Sequence, residues 1–264
     1  MLPKHFKPLP GTNRMRNEGG LSEARLEFCS RSNLNLDHLL SYRLSWISKF
    51  VNANMLGVEF GAGIGLLKFY HPNLNILSTD LGQSDWLDLG AVDATASGFE
   101  DDTFDYIVVN QVLHHLRRPD LFFAEAKRIL RPGGLVLIQD PYTSFFLKLA
   151  LILMRHEGYD DRINLNKVGV SFCDSDDAWS ANCSTARILF EQKLGLDFYP
   201  GFHMVHSKKT EFFTFLNSGG VTAKTNYIPL PKFGLKALSI LDTLVCSMLP
   251  KVFALQYRVV LKKC

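Results

Sequence analysis

The sequence predicts an α/β fold: a doubly wound, mostly parallel sheet of seven strands, led by helices and followed by a helical and irregular cap. Three observations predict it. A short apolar run, Met55 to Phe60, ends in a turn with glycines at alternate positions, Gly61, Gly63 and Gly65. Two further short runs end in acids, at Asp80 and Asp93. Tyr106 to Val109 is then apolar without alternation, as a strand buried on both faces of a parallel sheet must be.

The glycine turn is the centre of this pattern. Glycine tolerates positive φ and has no Cβ, so the loop turns sharply and lets a ligand lie against bare backbone. Leu66, Leu67 and Tyr70 follow at helical spacing. Strand, glycine loop and helix N-terminus make the crevice in which an α/β sheet takes a nucleotide. The spacing is Glu59-x-Gly61-x-Gly63-x-Gly65, and Leu66 stands where the dinucleotide fingerprint has its third glycine. In these residues the chain resembles the class I S-adenosylmethionine-dependent methyltransferases, of the small-molecule, methyltransferase domain 11-like type. Their first motif is an acidic strand end followed by G-x-G-x-G, on a Rossmann-like sheet.

The downstream sequence extends the resemblance. Asn75 to Thr79 reads as a second strand ending at Asp80, about twenty residues past the first glycine, where a carboxylate reaches a ribose. Ribose hydroxyls donate and an ionised carboxylate accepts, so the pairing is chemically matched. Leu89 to Val92 reads as a third strand, ending at Asp93-Ala94. The run through Phe99, Asp101, Phe104 and Asp105 is similar to the family's D-A…F-x-D-x-x-F-D pattern. The resemblance implies that Asp93 holds the adenine amino group with Ala94 beside the ring. Glu59 then faces the amino-acid end of the donor or orients the loop. Leu81 and Asn110 complete the cofactor-facing set, and Asp105 caps the turn entering the fourth strand. Arg131-Pro132-Gly133-Gly134 matches a third family motif, a tight turn without chemistry.

After the fourth strand comes Asn110-Gln111-Val112-Leu113-His114-His115-Leu116, which in the family passes the methionine end of the donor. A histidine near neutral pKa takes a proton from a hydroxyl acceptor. Adjacent residues do not share a helical face, so at most one of His114 and His115 points into the site. The alternative for both is a structural or cofactor-edge contact. No third ligand stands at a useful sequence spacing, so no metal is expected. Asp140-Pro141, ending a fifth strand from Leu135, borders the acceptor side.

Length and composition bound the rest. The 264 residues suit one large domain or a core with a cap. The segments expected are an arm with helices over 1–54, a cofactor core over 55–141, an acceptor-side insertion over 142–254 and a final edge strand over 255–264. A net charge of +3 implies no polyanion partner, and nucleic acid is not expected. Five cysteines without a C-x-x-C pair fit a reducing, cytoplasmic setting. The first twenty residues have no apolar core of a secretory signal. They read as a loose arm before a short helix over Leu21 to Phe28 and a stronger one over Asp37 to Val51, with Asp37 as N-cap. Such helices either close over the ligands or cover the sheet.

Later segments read as helices over Phe145 to Met154, Thr185 to Leu194 and Leu235 to Leu249, and as strands over Leu196 to Tyr199 and Gln256 to Lys262. The last of these suits an antiparallel strand at the sheet edge. The insertion is aromatic and aliphatic, which suits a small-molecule or amphipathic acceptor, including a glycan or lipid-linked intermediate. The Leu235 to Leu249 helix reads as core or as a peripheral membrane contact. The function expected is methyl transfer from S-adenosyl-L-methionine to such an acceptor. The alternatives are a nucleotide-dependent oxidoreductase on a similar sheet and a non-catalytic protein that binds the donor. The sequence fixes neither acceptor nor oligomeric state.

Overall fold

The computed structural model describes residues 2–8, 21–155, 157–167, 169–173, 181–220 and 225–264. The first half runs β1 (His5–Phe6), α1 (Leu21–Cys29), α2 (Leu34–Ser45), β2 (Gly57–Phe60), α3 (Leu66–Tyr70), β3 (Ile76–Thr79), β4 (Phe104–Asn110), α4 (Pro119–Ile129) and β5 (Leu130–Pro141). The second half runs α5 (Phe145–Met154), β6 (Tyr159–Asp160), α6 (Thr185–Glu191), β7 (Phe202–Thr210), α7 (Phe213–Leu216), α8 (Lys232–Met248), α9 (Pro250–Phe253) and β8 (Gln256–Lys263).

Among the described residues the main sheet has six strands in the order β3-β2-β4-β5-β8-β7, against the seven expected. Strands β3, β2, β4 and β5 are parallel, and β8 runs antiparallel between β5 and β7. The last strand is therefore one position in from the edge. The expected third strand, Leu89 to Val92, makes a single bridge from Leu89 to Thr79. Ala91 has φ +56°, a left-handed kink that ends extension after one pair. Leu196 to Tyr199, expected as a strand, lies in a 3-10 turn over Lys193–Phe198 and the residue after it. The strand at this edge is β7 instead, and its exposed His203, Val205 and Ser207 alternate with more buried neighbours.

Alternation along the strands divides the core into two layers. Ile107, Val109, Val136 and Ile138 pack with Phe122, Phe123, Ala126 and Ile129 of α4. Tyr106, Val108 and Leu137 pack on the opposite face with Leu44, Trp46, Ile47 and Leu67. Both faces of β4 are buried, which explains its unbroken apolar run.

The leading helix α2 is capped by Asn33, whose side chain accepts from the amides of Asn35 and Leu36. Asp37, the expected cap, instead accepts from the Tyr70 hydroxyl at 2.7 Å. Arg43 of α2 reaches through the core to Glu211, with Nη2 2.6 Å from Oε2. Gln139 of β5 donates to the same carboxylate at 2.7 Å. Its own Oε1 accepts from Trp46 at 2.9 Å and from Arg258 of β8 at 3.0 Å. This buried network ties helix, sheet centre and sheet edge together.

Part of the expected loose arm is ordered. His5 and Phe6 pair with Asp160 and Tyr159, and the Tyr159 hydroxyl donates to the Pro3 carbonyl at 2.9 Å. Gly19-Gly20 and the acidic run at 174–177 lie outside the described residues. Helix α8 buries Leu235, Asp242 and Cys246 but exposes Phe233, Ile240, Leu244 and Met248. Among the described residues no helix is long and apolar enough to cross a membrane.

Candidate active site

Because β2, β3, β4 and β5 are parallel, their C-terminal ends share one rim. Glu59 and the glycine loop stand at the end of β2, Asp80 follows β3, Asn110 ends β4, and Asp140 is near the end of β5. The sequence-predicted residues are thus gathered on one edge of one sheet.

The loop needs its glycines. Gly61, Gly63 and Gly65 have φ of +67°, +53° and +72°, where a Cβ is strained. A Cβ on Gly61 would stand 2.4 Å from Val112, whereas one on Gly63 would meet no atom within 4 Å. Gly63 therefore borders open space. Asp80 closes the loop: Oδ2 accepts from the Gly63 amide at 2.8 Å and Oδ1 from the Gly82 amide at 2.9 Å. On the outer side, the Trp86 indole donates to the Gly63 carbonyl at 2.8 Å. Arg25 of α1 donates to the Ile64 carbonyl and lies 5.2 Å above the Trp86 ring. The leading helix α1 therefore holds the glycine loop, and its buried Phe28 packs with Leu36 and Leu40 of α2 against Ile64, Leu66 and Tyr70.

Glu59 is buried at 3% exposure, and its Oε2 has no hydrogen-bond partner among the described residues. Burial, with the Asp80 charge added, lifts its carboxyl to about 8. An orphaned carboxylate oxygen beside an open cradle fits a cationic ligand. S-adenosylmethionine carries an ammonium and a sulfonium, and its ribose hydroxyls suit Asp80. The residues present fit this donor.

The segment expected to face the adenine is joined to β3 by backbone. The Val92 amide donates to the Asp80 carbonyl at 3.0 Å, which brings Asp93 to the end of β3. Asp93 Oδ1 accepts from the Thr95 amide and hydroxyl, both at 2.7 Å. Ala94 is buried beneath it and Leu81 is exposed beside Asp80. Asn110 Oδ1 is buried with no partner among the described residues, another unsatisfied acceptor on this rim. Asp105 accepts from the Leu56 amide at 2.7 Å and pairs with Arg131 at 2.8 Å, a structural tie between β4 and the segment before β2.

The two histidine rings lie together, with centroids 4.0 Å apart, but they differ in burial. His114 is 2% exposed, with Nδ1 2.8 Å from Asp140 Oδ1. Its Nε2 is 3.6 Å from Glu157 Oε2. Burial alone would lower its pKa, but the Asp140 and Glu157 carboxylates outweigh that and raise it to about 10. His115 is 27% exposed, with Nε2 4.0 Å from Glu157 Oε1. Cys183 donates to Glu157 Oε2 at 3.2 Å. Asn182 locks the cluster: its amide donates to the His114 carbonyl at 2.8 Å, and its Oδ1 accepts from the Asp160 amide at 2.9 Å. Sequence reasoning missed Glu157, Cys183, Arg25 and Trp86. No spacing signals the first two, because they join His114 only through the packing of β6 and α6 against the end of β4.

Comparison with known proteins agrees with this geometry. A family model described as a methyltransferase domain matches residues 59–138. The demethylmenaquinone methyltransferase of Streptomyces avermitilis is 36% identical over 66 residues, which is 25% of this chain and 29% of that protein. The match thus spans less than a third of this curated relative. Among solved structures, a SAM-dependent methyltransferase from Archaeoglobus fulgidus superposes with a TM-score of 0.55 at 14% identity, over 85% of this chain and 93% of that one. A SAM-dependent methyltransferase from Thermotoga maritima, described as a possible histamine N-methyltransferase, gives 0.51 at 16% identity, over 92% and 99%. At such identities these two likenesses concern the fold. The residues that match the methyltransferase domain model, 59–138, run from Glu59 through the glycine loop and Asp80 to Ile138 of β5.

Proposed function

We propose that the chain transfers the methyl group of S-adenosylmethionine to a small or amphipathic acceptor, of the kind a glycan or lipid-linked intermediate presents. The observation that supports this best is the conjunction of the orphaned Glu59 oxygen, the open side of Gly63 and the Asp80 carboxylate on one rim. The sulfonium supplies an electrophilic methyl group, so the chain's own task is alignment. Glu59 would hold the cationic amino-acid end, Asp80 the ribose and Asp93 the adenine. On the acceptor side, His115 is the more exposed histidine and is assigned the acceptor proton. His114, sealed against Asp140, positions the loop.

The amphipathic part of the reading has support in α8. Phe233, Ile240, Leu244 and Met248 form an exposed apolar stripe, accompanied by exposed Lys232, Lys236 and Lys251. The helix's single acid, Asp242, is buried. An exposed face with apolar and only cationic groups matches an anionic bilayer surface. Vesicle sedimentation should retain the protein on anionic and not on neutral phosphatidylcholine vesicles, and Leu244→Asp should release it. Equal retention on both, or none, contradicts the contact.

The transfer itself is tested by incubating the chain with donor bearing a deuterated methyl group and panels of glycans, glycolipids, amines and phenols. Mass spectrometry should find one labelled methyl on a member of the glycan or amphipathic panels. Labelling confined to protein or nucleic acid controls contradicts the acceptor class.

A further inference from the structure

We propose that His114, Glu157 and Cys183 form a binding site for one divalent transition-metal ion of the zinc type, at the end of β4 on the acceptor side. The donor atoms are one imidazole nitrogen, one carboxylate oxygen and one sulfur, all within 4.8 Å of one another. His114 Nε2 is 3.6 Å and Cys183 Sγ is 3.2 Å from the same Glu157 Oε2. Tetrahedral zinc with bonds of about 2.0–2.3 Å places its ligands about 3.4 Å apart, so these separations need little adjustment.

A second observation points the same way. His114 presents Nε2 to this cluster because its Nδ1 is held by Asp140 at 2.8 Å. A carboxylate behind a histidine fixes the tautomer and ring direction that a metal requires of its ligand. Asp140 is itself fully buried, and among the described residues its second oxygen has no partner, so its contact there is with this histidine. The ligand set is also positioned from both sides. Asn182 precedes Cys183 and donates to the His114 carbonyl, and the Cys183 amide donates to the Gly158 carbonyl at 3.0 Å. Two backbone ties thus join all three ligand-bearing segments.

Mixed nitrogen, oxygen and sulfur donors select zinc-type ions over magnesium or calcium, which require oxygen. Three protein ligands leave a fourth position open, as in catalytic rather than structural zinc sites. On binding, the ion replaces the thiol proton of Cys183, which leaves to solvent, and takes the Nε2 lone pair that the Nδ1–H tautomer of His114 exposes. If the methyl-transfer reading above holds, the open position suits an acceptor hydroxyl or thiol. The metal site itself does not depend on that reading.

The experiment uses the untagged full chain, stripped with a chelator, reloaded with Zn²⁺ and separated by gel filtration. Plasma mass spectrometry should find one zinc per chain, and Co²⁺ loading should give a thiolate-to-cobalt charge-transfer band. Cys183→Ser should abolish that band, and Glu157→Gln and Asp140→Asn should each weaken zinc binding about 10- to 100-fold. Wild-type chain that retains no stoichiometric zinc, or whose cobalt form lacks the thiolate band, overturns the proposal whatever the variants do. Retention of the band in Cys183→Ser also overturns it. Titration of the same samples with S-adenosylmethionine reports separately on the donor site.

Discussion

Asp80, at the tip of one strand, holds the Gly63 amide of the loop that follows its neighbour, with 2.8 Å between carboxylate oxygen and nitrogen. One acid thus shapes the glycine loop and, in the proposed reading, also takes the ribose. Charge-assisted hydrogen bonds contribute about 1.5–3 kcal/mol each. Asp80→Ala should therefore raise the dissociation constant for S-adenosylmethionine about ten- to a hundredfold. Calorimetry of wild type and variant measures this, and unchanged affinity would contradict the assignment.

Gly61 and Gly63 are expected to respond differently to the same change. Both have positive φ, so alanine costs about 1–2 kcal/mol at either position. Gly61→Ala also drives a methyl group against Val112 and should lower the melting temperature further. Gly63→Ala fills open space and should weaken donor binding out of proportion to its effect on melting. Thermal melts with and without donor separate the two.

Glu59 makes stability depend on pH. Its carboxyl titrates at about 8 when folded, against an ordinary value of 4.5, so the folded state binds the extra proton between these values. The associated stability is complete below about 4.5 and is lost as pH rises through about 8. Urea unfolding between pH 5 and 9 should show this decline in wild type and a flatter curve in Glu59→Gln. Donor binding near pH 7 should also release a proton, because a cation beside Glu59 favours its ionised form. Calorimetry in buffers of different ionisation enthalpy measures that release.

Glu211 stands between Arg43 and Arg258 at the centre of the buried network, with Arg43 at 2.6 Å and Arg258 at 3.8 Å. Removing one partner of a buried pair leaves uncompensated charge and costs about 3–5 kcal/mol. Glu211→Ala should lose stability of that order in urea unfolding. A loss below about 1 kcal/mol would show the network to be solvated, as exposed pairs are.

Much of the donor side was legible in the sequence because its parts are local. The glycine loop, Asp80 and the unbroken strand through Val108 each express one short-range rule: positive φ, a strand-end acid, burial on two faces. The segment from Leu89 to Val92 misled because its apolar residues suggest extension while Ala91 turns left-handed. Strand β7 was hidden by its own polarity, since His203, His206, Ser207, Lys208 and Lys209 suit an exposed edge and carry no apolar signature. The Glu157 and Cys183 neighbours of His114 depend on packing between distant segments, which no sequence spacing encodes.

The central claim is that the rim formed by Glu59, the glycine loop and Asp80 binds S-adenosylmethionine. Isothermal titration of the full chain with this donor tests it most directly. The expected result is one site per chain that tightens as pH rises through 8 and weakens strongly in Asp80→Ala. No heat and no saturation at millimolar donor, in a chain that melts cooperatively, would contradict it.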